Sequence, residues 1–173
     1  MTIADSELDL REANVTGVTF EQIDSVTYRF NVTLFHDDDG EAGYADFWVI
    51  ETLNGTELGR RILTHPHGTQ EFSRSGLIMI PGGIDIVVVR GHDQIHGFGG
   101  RAIIINIRTD EFEVVDQGSE LMDFSDKTRI IPSTSTPNDK RSSGFQIFFS
   151  ILVLKALSYR KREKIGDRSN NGS

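Results

Sequence analysis

The chain has no cysteine. These residues therefore offer no disulfide, no thiolate metal ligand and no cysteine nucleophile. Lysine is missing from the first 120 positions, where all eight basic residues are arginine and 21 residues are acidic. In positions 121–173 ten basic residues outnumber five acidic ones, so the net charge of −8 conceals an acidic body and a basic tail. An acidic body lacks the positive face that phosphate contacts need, which argues against a nucleic-acid partner. No Gly-x-Ser-x-Gly elbow is present to seat a hydrolase nucleophile. No convincing helical period occurs before residue 140. No apolar run reaches the roughly 20 residues that a membrane-crossing helix needs. Residues 1–12 (MTIADSELDLRE) are acidic and lack the apolar core of a secretory signal, so they read as a flexible N-terminus.

What is present from Ala13 onward is β pattern. Val15 to Phe20 reads as a first strand. Val26, Tyr28, Phe30, Val32 and Leu34 alternate with Thr27, Arg29, Asn31 and Thr33, the period-two signature of a half-buried strand. Asp37-Asp38-Asp39-Gly40-Glu41 supplies a loop. Its carboxylates invite a calcium reading, but the EF-hand glycine position is Ala42, and a solvated acidic turn is the better account. Ala45 to Thr52 reads as a third strand, Asn54-Gly55 as a hairpin turn, and Leu58 to Thr64 as its return. Pro66 marks an edge or bend. Leu77 to Ile80 is a short strand, Ile84 to Arg90 and Ala102 to Ile107 read as central strands, and Glu111 to Val115 closes the set. Seven or eight short strands with closely spaced turns predict an all-β, antiparallel sandwich of immunoglobulin or fibronectin III type over residues 13–116. A small barrel is the competing architecture.

The composition then changes. Residues 117–143 are rich in Ser, Thr, Pro, Asn and Asp and read as a stalk. Residues 144–159 form an apolar run of about 16 residues, with Lys155 inside it, read as a hydrophobic anchor helix. Residues 160–173, opening with Arg160-Lys161-Arg162, read as a basic cytoplasmic tail, and Lys155 would snorkel to the same side. An amphipathic surface helix is the alternative for this segment. Ser143-Gly144-Phe145, the apolar run and Arg160-Lys161-Arg162 together resemble the C-terminal Pro-Gly-Phe sorting signals of archaeal surface proteins, with Ser in place of Pro. That resemblance implies a single C-terminal membrane anchor with the β domain outside.

All five histidines fall between residues 36 and 96. His36, His65, His67, His92 and His96, with Asp38, Asp46, Glu71 and Asp93, form a candidate rim if the strand ends meet. Imidazole with carboxylate suits Zn or Cu, in a binding domain or a metal-dependent hydrolase. A structural polar cluster is the blander reading of the same residues. The loop Gly97, Gly99 and Gly100, with Arg74 and Arg90 nearby, is a candidate anion or ligand site. A tight turn needing positive φ explains the same glycines. Trp48, Tyr44 and Phe98 would suit a sugar if exposed, although Trp48 lies within a strand pattern and reads as core. Asn14, Asn31, Asn54 and Asn171 each open an Asn-x-Ser/Thr triplet.

A second resemblance spans roughly residues 15–110. The order His36-x-Asp38, Tyr44-Ala45-Asp46-x-Trp48, Leu58-Gly59-x-Arg61-x-Leu63-x-His65-Pro66-His67, Glu71-Phe72-x-Arg74 and His92-Asp93-x-x-His96-Gly97-x-Gly99-Gly100 resembles a family of uncharacterised prokaryotic β-sandwich domains. It implies a domain boundary and no particular activity. The resulting expectation is a membrane-anchored surface domain for binding, adhesion or envelope structure.

Overall fold

A computed structural model describes residues 8–38, 40–127 and 130. The apolar run and basic tail, with Gly144, Phe145, Lys155, Arg160, Lys161 and Arg162, lie outside the described residues, as does most of the stalk. Among the described residues no helix is long and apolar enough to cross a membrane.

Among the described residues nine strands follow one another: β1 (Asn14–Gln22), β2 (Thr27–Phe35), β3 (Ala45–Glu51), β4 (Glu57–Ile62), β5 (Phe72–Met79), β6 (Ile86–Asp93), β7 (Gly97–Phe98), β8 (Arg101–Asn106) and β9 (Phe112–Asp116). They form two antiparallel sheets. One has the order β1-β2-β5; the other has the order β4-β3-β6-β8-β9, with β7 folded back on β6. The sheets pack as a sandwich. The period-two residues Phe30, Val32 and Leu34 of β2 meet Trp48 and Ile50 of β3, Val87 and Val89 of β6, and Ile103 and Ile105 of β8 in one core. The alternation that suggested β2 is thus the alternation between core and solvent.

The Asn54-Gly55 hairpin forms as the sequence predicts. Gly55 has φ +79°, and its N–H donates to the Thr52 carbonyl at 3.0 Å. β5 begins five residues earlier than its apolar pattern suggested. Its same-face positions are Phe72, Arg74, Gly76 and Ile78, so two inward places carry no apolar side chain. Gly76 is required there: a Cβ would stand 2.8 Å from Cη2 of the buried Trp48. Trp48 is core, and it offers no exposed platform.

The second sheet also buries part of its outer face. Val88, Ala102 and Ile104, which alternate with core residues, pack beneath Phe124. Residues 117–127, which the composition places at the start of the stalk, contribute this cover. Lys127 closes it with a 2.8 Å ion pair to Glu113 of β9.

Pairing register fixes where the histidines go. Asn14 pairs with Phe35, Leu34 with Phe72, Ala45 with Asp93, Phe47 with Ile62, and Arg101 with Asp116. The starts of β1, β3, β5 and β8 and the ends of β2, β4, β6 and β9 therefore share one end of the sandwich. Every histidine lies at that end.

Candidate functional site

The centre of the rim is His36, the residue after β2, which is 2% exposed. Its Nδ1 lies 2.6 Å from Asp38 Oδ1, and its Nε2 lies 3.1 Å from the Arg11 carbonyl. Asp93 Oδ2 also stands 3.1 Å from Nε2, but off the line of a hydrogen bond, so that oxygen has no hydrogen-bond partner. All three neighbours are oxygen atoms of the protein, so both ring nitrogens are occupied by contacts within the fold. The carboxylates are tied down in turn. Asp38 accepts from Ala45 N–H at 3.3 Å and from His67 N–H. Asp93 Oδ1 accepts from the N–H groups of Ile95 at 2.8 Å and His96 at 2.7 Å, and from His96 Nδ1 at 3.0 Å. Within the acidic run the side chain of Asp38 is buried, because it links the end of β2 to the β4–β5 loop.

The segment before β1 is bound into the same network. Asp37 N–H donates to the Leu10 carbonyl at 2.8 Å, and Gly91 approaches Ala13 so closely that a Cβ would be 2.2 Å from its carbonyl oxygen. Glu12 is 4% exposed and its Oε2 has no hydrogen-bond partner. That carboxylate lies over Gly99, where a Cβ would be 2.1 Å from Oε2. The glycine loop therefore holds a carboxylate of the protein itself. Its amides are engaged elsewhere: Gly100 N–H donates to the Gly118 carbonyl at 2.7 Å, and Arg101 N–H to Asn14 Oδ1 at 3.0 Å. Gly97 and Gly100, with φ +76° and +66°, serve the turn. Close approach of Glu12 and Asn14 accounts for Gly99 and Gly100, and the positive φ for Gly97.

Burial raises the Glu12 carboxyl above its ordinary value of 4.5, with nearby Asp9 and Asp93 adding to the rise and His96 opposing it. The folded state keeps this proton at a pH where the unfolded chain has released it. Ionised Glu12 therefore lowers stability as pH rises above about 4.5. Glu12→Gln removes that ionisation. Its melting temperature should gain on the wild type through this window and then run parallel at higher pH. Thermal melts at a series of pH values check this; a gap that does not change with pH would contradict it.

His65 and His67 form a separate pair in the β4–β5 loop. Their ring centroids are 4.6 Å apart, and His67 stacks flat on Phe72 at 3.7 Å. Neither ring nitrogen of His67 has a hydrogen-bond partner. Burial, followed by Arg74 and His65, pushes its pKa down, while Asp38 opposes. The ring behaves as an apolar plate. Arg74 lies over the same phenyl ring at 5.6 Å and donates to the Ser73 carbonyl. Glu71 is exposed and stands outside the cluster.

His92 points to the other face of β6. Its Nδ1 lies 2.6 Å from Asp46 Oδ1. Its ring stacks on Phe47 at 4.2 Å and meets Phe98 edge-on at 4.8 Å. The Arg60 guanidinium caps the other side of Phe47 at 4.2 Å. This is a histidine–carboxylate pair of the geometry a general base uses. Among the described residues no hydroxyl hydrogen-bonds to the ring.

Arg90, an anion candidate from the sequence, binds groups of the protein itself. It is 2% exposed, and each of its three guanidinium nitrogens donates a hydrogen bond. Nε donates to Glu51 at 2.9 Å, the terminal nitrogens to Gln117 Oε1 and, at 2.7 Å, to the Met122 carbonyl, and the plane covers Phe124 at 4.7 Å. Burial lowers its pKa, and Glu51 offsets this. Arg90 is the clasp that holds residues 117–124 on the sheet.

The structure thus brings His36, Asp38, Asp93 and His96 into one network, joins it to His67 through backbone, and leaves His92 with Asp46 on the outer face. Among the described residues no three histidine or acidic side chains are placed to hold a metal ion. Sequence reasoning missed Glu12, Asn14, Glu51, Gln117 and Phe124. A charge or amide inside a strand pattern, as at Asn14 and Glu51, was the one available signal.

A protein of the haloarchaeon Halomicrobium mukohataei, named "Putative lipoprotein", is 53% identical to this chain over 121 residues, covering 70% of the chain and 60% of that protein. The chain spans less than two-thirds of that relative's length. No protein-family profile and no solved structure matches the chain.

Proposed function

We propose that this chain is a membrane-associated cell-surface domain that works by binding, adhesion or envelope building. The carrying observation is the 53% identity to the haloarchaeal protein named as a lipoprotein. The strand partition supports an immunoglobulin or fibronectin III type of sandwich: β1-β2-β5 faces β4-β3-β6-β8, as strands A-B-E face C′-C-F-G in such folds. The chemistry of the rim agrees with a binding role, since His36, Asp38 and Asp93 are consumed in bracing loops.

Without cysteine, the 173 residues provide no thiol for a lipid. The segment that would hold them at a membrane is the apolar run 144–159, followed by Arg160-Lys161-Arg162 on the cytoplasmic side. The stalk would then carry the acidic sandwich outward.

Fractionation of cells making the full chain tests this. The chain should pellet with membranes, resist extraction by carbonate and dissolve in detergent. Deleting 144–159 should release it. Protease added to intact cells should reach the sandwich. A chain that stays in the soluble fraction, or that is cut only after lysis, contradicts the proposal.

A further inference from the structure

Four Asn-x-Ser/Thr triplets occur in the sequence, and three of them lie in the sandwich. The structure treats the three very differently. Asn14 is 1% exposed, and its Nδ2 donates to the carbonyls of Asp9 and Glu12, both at 2.8 Å. A substituent on that nitrogen would break the tie that holds the N-terminal segment. Asn31 sits in β2, the middle strand of its sheet, paired with Thr19 on one side and Ser75 on the other. Its Oδ1 accepts from Ser75 Oγ at 3.1 Å.

Asn54 differs from both. It is exposed at the tip of the β3–β4 hairpin, beyond the end of the paired strands. Gly55 beside it takes a positive φ of 79°, which turns the chain sharply and leaves the asparagine on the outside of the bend. The third residue of the triplet is oriented toward it: Thr56 Oγ1 donates to Asn54 Oδ1 at 3.0 Å. Thr52 Oγ1 donates to the same oxygen. Two hydroxyls thus address the amide oxygen, and among the described residues Nδ2 has no hydrogen-bond partner. The hydrogen-bonded oxygen draws density from the amide and favours loss of a proton from Nδ2 as a bond forms there.

We propose that Asn54 is an N-glycosylation site. The inference rests on the surface reading above, because the modification belongs to exported chains. The donor is a sugar activated at its anomeric carbon by a lipid-linked phosphate. The Asn54 Nδ2 attacks that carbon, the carbon–oxygen bond to phosphate breaks, the lipid phosphate leaves with the bonding pair, and one amide proton passes to a base of the transferase. The hairpin tip projects from the end of the sandwich opposite the histidine rim, so a glycan there leaves the rim uncovered.

The test is mass spectrometry on the full chain isolated from the cells that make it, alongside chain made in cells lacking glycosyl transfer. Cleavage after Glu51 and Glu57 isolates residues 52–57, which contain Asn54 alone among the triplets. That peptide should carry a hexose-containing mass absent from the control. The shift should vanish in Asn54→Gln and Thr56→Ala and persist in Thr56→Ser. Protease added to intact cells separates the two readings. If the sandwich is outside and the 52–57 peptide is bare, or sugar is found on Asn31 alone, the glycan inference fails while the surface reading stands. If the sandwich is inside and bare, both fail.

Discussion

Replacing Arg90 with methionine should destabilise the domain by about 3–5 kcal/mol, the range for breaking a buried ion pair by removing one partner. The loss has three parts. The Glu51 carboxylate, on a residue 8% exposed, is left without its cation. The Gln117 side-chain oxygen and the Met122 carbonyl lose the guanidinium that binds them. Phe124 loses the plane stacked on its ring. Glu51→Leu alone should also be costly, because it strands Arg90. The Arg90→Met, Glu51→Leu double variant should recover a large part of the loss, since two apolar side chains can replace a buried pair at little net cost. Chemical denaturation of the four proteins gives the coupling. Limited trypsin digestion adds a local readout: in Arg90→Met, cleavage at Lys127 should speed up before the sandwich itself is cut. Additive single losses, or unchanged cleavage at Lys127, would show that Arg90 is not the clasp.

His36→Ala should also be costly, by about 1–3 kcal/mol for each buried acceptor it leaves unsatisfied. The ring is the partner of two buried carboxylates and of the Arg11 carbonyl, and alanine leaves all three facing a void. His36→Ala combined with Asp38→Asn should lose less than the sum of the single losses, because the second change removes a charge already stranded by the first. Hydrogen exchange should show early opening of residues 9–14 and of the β6–β7 turn, the two segments that meet at the ring. If instead the singles add and exchange is unchanged, His36 is a packed ring and not a brace.

The contrast between these two residues explains what the sequence could show. The sandwich was legible because its signal is local. The alternation in β2 reports which side chains face the core, and Asn54-Gly55 reports a turn from two adjacent residues. The gathering of histidines at one rim was also within reach, because they sit at strand ends and antiparallel pairing brings such ends together. What their nitrogens touch was not. His36 meets Arg11 across 25 positions, and Arg90 meets Glu51 across 39 and Gln117 across 27. Periodicity carries no record of such partners. The start of β5 was hidden for a different reason: Gly76 is an inward residue whose lack of a side chain makes room for Trp48, so the apolar pattern is interrupted where the packing is tightest. Residues 117–127 look unfit to pack from composition because their polar residues mask the buried apolar anchor, Phe124.

The claim that His36 braces the rim through contacts within the protein is tested most directly by thermal melting of the full chain against increasing Zn²⁺ and Cu²⁺. The bracing role predicts a melting temperature that stays level with metal concentration, and a large drop in His36→Ala whether or not metal is present. A saturable rise at one metal per chain, abolished by the His65→Ala, His67→Ala double variant, would contradict it and make the rim a metal centre.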